Sequence, residues 1–183
     1  MIYLIGGAPR SGKSILGQRL CTTLKVGWVS TDLLMEVLRV ANAAGRKMKW
    51  DAAPEAITAN AEWFFPYLER FIWGVSSLAD HYVIEGVDFL PAQVAQLSTQ
   101  YPIHTVFLGC SHMTLEGFTQ FPGRSRGYDS LPEALRRQIV EDVPRWSAFI
   151  RQEAERFGYA YVDMGSDFSH RLAEAELVLT TGV

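Results

Sequence analysis

The chain has 183 residues, of which 48% are apolar and 20% are charged, and its formal net charge is −3. This length fits one domain of ordinary size, and the composition excludes a disordered chain. The charge balance argues against a nucleic-acid partner, and no apolar run approaches the roughly 18 residues that would span a membrane.

Cysteine and histidine usage points to an intracellular protein without a zinc site. Cys21 and Cys110 lie far apart, and the four histidines show no metal-ligand spacing. We therefore expect two reduced thiols in a cytoplasmic protein. The opening MIYLIGGAPR carries no charged leader, so we expect no signal peptide.

Short apolar runs alternate with longer helical segments, which predicts an α/β fold with a mostly parallel sheet. In the first half, strands are predicted over residues 2–5 and 26–30, and helices over residues 13–25, 33–43 and 54–79. The first helix should turn Ile15, Leu16, Leu20 and Leu24 to one side. Thr31 and Asp32 should cap the second helix, and Pro66 should kink the third.

The second half continues the same alternation. Strands are predicted over residues 82–85 and 159–163, and residues 106–108 should lie within another strand between them. Helices are predicted over residues 132–156 and 170–179. Residues 111–131 are rich in glycine, which predicts broken structure or a flap. Five strands with helical crossovers make a three-layer α/β/α sandwich with a helical insert over residues 33–80.

A phosphate-binding motif follows the first strand. Residues 7–14 read GAPRSGKS and match G-x-x-x-x-G-K-[ST] at every fixed position, between a buried strand and an amphipathic helix. Backbone N–H groups of such a loop wrap a phosphate, and the start of the helix adds the positive end of its dipole. The candidate nucleotide-binding residues are Gly7, Ala8, Pro9, Arg10, Ser11, Gly12, Lys13, Ser14 and Ile15.

Two side chains of this loop have defined roles in the motif. Lys13 places a cation on the β- and γ-phosphates, and the Ser14 hydroxyl is suited to bind Mg²⁺. The motif does not fix the residue type at Arg10, which could touch phosphate or remain a solvated loop arginine. The sequence therefore predicts a site for ATP and Mg²⁺.

The chain resembles the P-loop kinases of the nucleoside-monophosphate-kinase-like group, which includes adenylate, shikimate and gluconate kinases and chloramphenicol phosphotransferase. The likeness lies in residues 2–14, in STD at 30–32 and in VIEG at 83–86. Residues 84–91, IEGVDFLP, also resemble 2-phosphoglycerate kinase-like proteins. The resemblance implies a parallel sheet in the order 2-3-1-4-5, transfer of the γ-phosphoryl group of ATP, and a mobile lid.

Asp32 follows the second strand, at the sheet edge where ligands bind in open parallel sheets. The resemblance implies that an aspartate there holds or deprotonates the acceptor hydroxyl. A carboxylate beside the phosphate loop could also hold a metal through water. The alternative is that Asp32 only caps the next helix, and one residue can do both.

Glu85 ends the third strand, where these kinases usually carry an aspartate that serves the metal. The longer glutamate could reach a Mg²⁺-bound water or the acceptor. Asp88 lies three residues further on and competes for the same role. A solvated carboxylate in a turn is the alternative for each of them.

The flap over residues 111–131 falls where the resemblance places the lid. Arg124 and Arg126 lie within its GRSRG segment and could stabilise charge on the transferred group. Solvated loop arginines are the alternative, and Arg136 and Arg137 rank lower because a surface helix normally carries such charges. The candidate catalytic residues are Lys13, Asp32, Arg124 and Arg126, and the candidate metal ligands are Ser14 and Glu85.

The acceptor should lie between the second strand and the insert. The aromatic residues of the insert are expected to be mostly core, whereas its basic residues Arg39, Arg46, Lys47 and Lys49 could bind an anionic acceptor or form a solvated face. By analogy, the nucleotide base rests near residues 165–168.

These observations favour an ATP-dependent kinase that acts on a small molecule, with a non-nucleotide hydroxyl preferred over a monophosphate acceptor. A nucleotide-binding module or slow NTPase is the alternative, and a GTPase is disfavoured because no [NT]KxD motif occurs. A nucleic-acid or zeta-toxin-like kinase is a third possibility, weakened by the acidic balance.

Overall fold

A computed structural model describes residues 1–41, 51–78, 81–120 and 131–181, with the side chain of Thr119 left aside. The strands of the described chain are β1 (Ile2–Gly7), β2 (Gly27–Ser30), β3 (Tyr82–Glu85), β4 (Ile103–Gly109) and β5 (Tyr161–Asp163). The helices are α1 (Lys13–Leu24), α2 (Thr31–Ala41), α3 (Pro54–Leu78), α4 (Pro91–Ser98), α5 (Leu115–Gln120), α6 (Glu133–Phe157) and α7 (Phe168–Thr180).

All five strands form one parallel sheet in the order β2-β3-β1-β4-β5. The order confirms the prediction. β1 is buried along its whole length because it lies in the middle of the sheet with helices on both faces. Its register places Ile5 beside Glu85, and the neighbouring strand places Ser30 beside the same residue. The carboxyl ends of β1, β2 and β3 therefore meet at one edge.

Two apolar layers fill the space on either side of the sheet. Side chains of α3, α4 and α6 pack with Leu4, Ile84 and Phe107 on one face. Side chains of α1 and α7 pack with Ile5, Val83 and Val106 on the other. Alternate residues of each strand serve opposite layers, which fixes the register and confirms the three-layer sandwich.

Several predictions of local structure were wrong. Ile15 lies on the outer side of α1 and is 37% exposed, because it is one residue removed from the buried Leu16. Thr31 and Asp32 belong to the first turn of α2 instead of preceding it. By contrast, the helix predicted over residues 54–79 is present as α3, which includes Pro66, and the kink there stays a prediction. Of its aromatic residues, Phe64 is fully buried and most of the others pack partly buried against the same core, whereas Trp73 is 49% exposed.

Two short helices were not predicted. α4 begins at Pro91, where a proline is tolerated because the first helical N–H needs no intrahelical partner. Gln93 accepts a hydrogen bond from the backbone N–H of Leu90 and closes this helix start. α5 occupies part of the stretch expected to be broken structure.

Candidate functional site

The loop between β1 and α1 is pressed against β4. Gly7 has a φ of 131°, and a Cβ at this position would lie 1.9 Å from the carbonyl oxygen of Leu108. The next N–H, that of Ala8, donates to the same oxygen at 2.9 Å. Only glycine combines this backbone conformation with so close an approach. The loop therefore leaves the sheet in one defined direction, above the central strand.

Gly12 ends the loop and caps α1. Its φ is 87°, and its carbonyl oxygen accepts the N–H groups of Ile15 and Leu16 at 3.0 Å each. A Cβ on Gly12 would lie 2.8 Å from the ring of Phe168, the first residue of α7. Phe168 is 40% exposed. The region that analogy assigns to the nucleotide base therefore borders the phosphate loop directly.

Lys13 lies across the loop. Its ammonium Nζ donates to the carbonyl oxygen of Ala8 at 2.6 Å, and the residue is only 6% exposed. Burial lowers the pKa of Lys13, while the charges of Glu85, Asp32 and Asp88 oppose this shift. The negative charges of three carboxylates therefore act on this one cation and favour its protonated form, against the effect of burial.

Ser14 and Glu85 form the second pair of the site. The Ser14 hydroxyl donates to Oε1 of Glu85 at 2.9 Å, across 71 residues of sequence. Burial raises the pKa of Glu85, which is 2% exposed, while Lys13 and hydrogen bonds from Ser30 and Ser14 lower it. The hydroxyl of Ser30 reaches Glu85 because the two residues are register partners.

The chemistry of this pair fits a hard divalent cation. A hydroxyl and a carboxylate are oxygen donors of the kind that Mg²⁺ prefers, and Mg²⁺ usually keeps waters and substrate phosphates as its other ligands. Across the part of the chain that the structure describes, no group of three or more His, Cys, Asp or Glu residues could hold a metal by itself. The Ser14–Glu85 pair itself supplies two oxygen donors, which suits an ion whose other ligands are waters and phosphate oxygens.

Asp32 lies in the first turn of α2, and its side chain is exposed. Its charge acts on Lys13, Glu85 and Asp88 together, raising the pKa of each. Asp32 is therefore close to all three groups. Its place at the start of a helix also puts a carboxylate at the positive end of the helix dipole.

Asp88 forms its hydrogen bond with Thr31 instead of with Ser14. The Thr31 hydroxyl donates to Oδ2 of Asp88 at 2.5 Å, and the two residues are 0% and 3% exposed. Burial raises the pKa of Asp88 to about 6 against the favourable hydrogen bond from Thr31. Of the two carboxylates that the sequence offered for the metal, Glu85 is the one that contacts the Ser14 hydroxyl.

The side chain of Arg10 contacts α5. Its Nη2 donates to the carbonyl oxygen of Phe118 at 3.3 Å, and its guanidinium lies 4.4 Å from the centre of the Phe118 ring. Nearby, the Ser11 hydroxyl donates to the carbonyl oxygen of Ala8 at 2.8 Å. Ala8, Pro9 and Ser11 are buried within the loop. Arg10 therefore has a protein partner in this structure.

Some predicted residues lie outside the described ranges. Arg124 and Arg126 are among them and stay predictions, as do Arg46, Lys47 and Lys49. Arg39 is exposed and paired with Glu36 on α2. Arg137 pairs with Glu133 at 2.5 Å, whereas the buried Nε of Arg136 has no hydrogen-bond partner among the residues that the structure describes.

Sequence reasoning did not assign roles to Thr31 and Ser30 at this site. Both contacts follow from the adjacency of β2 and β3, which brings the residues after one strand to those after the other. The strand order implied by the resemblance carried this information, but the pairing of particular hydroxyls with particular carboxylates depends on register. Register cannot be read from a four-residue strand that alternates weakly.

The chain is similar to known proteins in structure only. No protein-family model matches the chain, and no curated protein does. A candidate kinase from Chloroflexus aurantiacus J-10-fl aligns over 100% of this chain and 97% of its own, at 15% identity and a TM-score of 0.54. The chain has a P-loop kinase fold. This conclusion agrees with the strand order and with the motif in its expected place.

Two further solved structures align over most of the chain with lower scores. Shikimate kinase from Aquifex aeolicus covers 98% of this chain and 96% of its own, at 17% identity and a TM-score of 0.49. A gluconokinase from Sinorhizobium meliloti covers 97% of this chain and 90% of its own, at 18% identity and a TM-score of 0.47.

Within the described ranges, every helix is too short or too polar to cross a membrane.

Proposed function

We propose that this protein is an ATP-dependent phosphotransferase that moves the γ-phosphoryl group to a hydroxyl of a small molecule. The observation that carries the proposal is the grouping around Lys13. Glu85, paired with the Ser14 hydroxyl in an arrangement that suits Mg²⁺, and the exposed Asp32 carboxylate both act electrostatically on this cation. A site that only binds nucleotide needs the first half of this arrangement but not the second.

On the nucleotide side, the backbone N–H groups of residues 7–14 would bind the phosphates. Lys13 would leave the carbonyl oxygen of Ala8 and donate to oxygens of the transferred group, where negative charge has to be stabilised. Ser14 and Glu85 would hold Mg²⁺. When bound, Mg²⁺ would supply positive charge that offsets the charge of the phosphates.

On the acceptor side, Asp32 would accept the proton of the acceptor hydroxyl. The new bond joins that hydroxyl oxygen to the γ-phosphorus, the bond from the γ-phosphorus to the β,γ-bridging oxygen breaks, and ADP leaves with the electron pair. The Asp32 carboxylate is exposed, so a substrate can reach it from solvent. Its position next to Lys13 suits a base that works beside the transferred group.

Charge favours a neutral or cationic group at the reacting end of the acceptor. Asp32 and Asp88 lie together after β2 and β3, and both would repel a phosphate that approached this edge. This supports a hydroxyl acceptor over a nucleoside monophosphate.

The test is a screen of hydroxyl-bearing metabolites and nucleoside monophosphates for ADP formation from MgATP. We expect turnover with one class of non-nucleotide alcohol. Turnover with AMP, CMP or UMP alone would overturn the acceptor assignment.

The Asp32→Asn variant separates a kinase from a nucleotide-binding module. A kinase should lose about 10²- to 10⁴-fold in turnover, the usual contribution of general acid–base catalysis, while its affinity for MgATP stays within about twofold. Glu36→Gln, an exposed carboxylate one turn further along α2, is the matched control and should behave as the unmodified chain. Equal behaviour of the two variants would favour the binding module.

A further inference from the structure

The hydrogen bond between Thr31 and Asp88 has no part in the phosphoryl transfer outlined above. Its two residues are almost fully buried, 57 positions apart, and joined at 2.5 Å. Thr31 opens α2, and Asp88 follows β3 at the same sheet edge. A hydroxyl and a carboxylate placed together inside the protein need a reason, because their burial is costly unless they satisfy each other.

The backbone beside this pair is built to allow it. A Cβ on Gly86 would lie 1.8 Å from Oγ1 of Thr31, so any side chain at residue 86 would displace the threonine. The φ angle of Gly86 is not positive, so the backbone conformation alone does not require a glycine at this position. The glycine is therefore needed for the close approach of α2 to the turn after β3.

Few other side chains of α2 are buried. Besides Thr31, Met35 is buried, and Leu34 and Leu38 pack partly buried against the core, whereas Leu33, Val37 and Val40 are 58%, 67% and 83% exposed. A helix anchored by so few buried side chains depends strongly on each contact that remains. Asp32 is the residue directly after Thr31, so the contact that fixes Thr31 also fixes the backbone that carries Asp32.

We infer that Thr31 and Asp88 are positioning residues that fasten the start of α2 to the turn after β3 and thereby hold Asp32 in place for the acceptor. This inference rests on the proposed function, because it assigns Asp32 a catalytic role. It adds that the acceptor half of the site is held by a specific buried hydrogen bond. The nucleotide half, by contrast, is held by its own loop and by Ser14–Glu85.

The experiment measures ADP formation from MgATP, with the acceptor found in the screen or with water in its place. Thr31→Val removes the hydroxyl and keeps the shape. We expect its kcat to fall about ten- to hundredfold, as for a displaced catalytic group, while the KM for ATP stays within about twofold. Thr31→Ser restores a hydroxyl and should recover most of kcat.

The matched control is Thr105→Val, which removes a threonine hydroxyl that donates to the Leu4 carbonyl oxygen at 3.0 Å in the sheet. It should leave kcat unchanged. Combination with Asp32→Asn tests whether Thr31 acts through Asp32. In that background Thr31→Val should add less than about twofold, because the group that it positions is already inactive.

A second pair of variants changes Asp88, the other residue of the hydrogen bond, and tests the inference if Thr31→Val does not fold. Asp88→Asn keeps an oxygen that accepts the Thr31 hydroxyl and should retain most of kcat, whereas Asp88→Leu should lose it. Equal losses in both would overturn the inference, as would a full additive loss on top of Asp32→Asn. The absence of any ADP formation by the unmodified chain would instead overturn the proposed function.

Discussion

The two halves of the site are built by different means. The nucleotide side, residues 7–14 with Glu85, is a buried loop whose own backbone sets its shape, and its lysine bonds to a carbonyl within the loop. The acceptor side, Thr31 and Asp32 with residues 86–88, joins two elements through one side-chain pair. The first kind of structure is local in sequence, and the second depends on the register of neighbouring strands. We expect the two sides to fail differently when they are disturbed.

Of the four tests that follow, the one on the nucleotide side should have the largest effect. Lys13→Ala removes the cation that would stabilise charge on the transferred phosphate, and turnover should fall about 10²- to 10³-fold. Affinity for MgATP, measured by calorimetry, should fall as well. Lys25→Ala, at the exposed end of α1, is the control and should change neither quantity. Normal MgATP binding by Lys13→Ala would contradict the nucleotide assignment.

The acceptor side should reveal itself in the pH dependence of stability. The pKa of Asp88 is about 6 in the folded protein, above its ordinary value of 3.8. The folded state therefore binds the proton of the Asp88 carboxyl more tightly than the unfolded state does. The stabilisation that comes from this proton is fully present below pH 3.8 and is lost as pH rises through 6. The loss amounts to about 3 kcal/mol at most.

Asp88→Asn removes this titration. Relative to the unmodified chain, the variant should therefore gain in free energy of unfolding as pH rises from 4 to 7, measured by urea denaturation at each pH. A constant difference across that range would show that Asp88 is not held in an unfavourable buried state.

The turn after β3 offers a steric test of the same side. Gly86→Ala would place a methyl group 1.8 Å from Oγ1 of Thr31, so Thr31 and α2 must shift, and the free energy of unfolding should fall by about 1–3 kcal/mol. Gly74→Ala on α3 is the matched control. Its new methyl group meets nothing within 4 Å, and alanine should stabilise this helix by about 0.5–1 kcal/mol. The same sign for both variants would argue against tight packing at Gly86.

The smallest of these effects concerns Glu85, which borders both sides. Glu85→Gln keeps an oxygen near Ser14 but removes the charge that attracts a divalent cation. The Mg²⁺ concentration for half-maximal turnover should rise about tenfold. Glu62→Gln, an exposed residue of α3, should not shift it. An unchanged Mg²⁺ requirement in Glu85→Gln would move the metal to other ligands.

The contrast between the two sides also explains what could be predicted. The motif at residues 7–14 needs no knowledge of distant residues, so its glycines and Lys13 were assigned from the sequence, and the apolar runs gave the strands. The Thr31–Asp88 pair joins positions 57 residues apart and depends on the register of β2 against β3, which no local pattern encodes. α4 was missed because it is only eight residues long and starts at a proline.

The contact between Arg10 and Phe118 connects the phosphate loop directly to α5. A hydrogen bond at 3.3 Å and a cation stacked 4.4 Å from the ring centre connect the tip of the loop to a helix 108 residues later in the chain. Any displacement of α5 must first break this stack or carry Arg10 with it. A displacement of α5 would therefore alter the position of the Arg10 side chain within the phosphate loop.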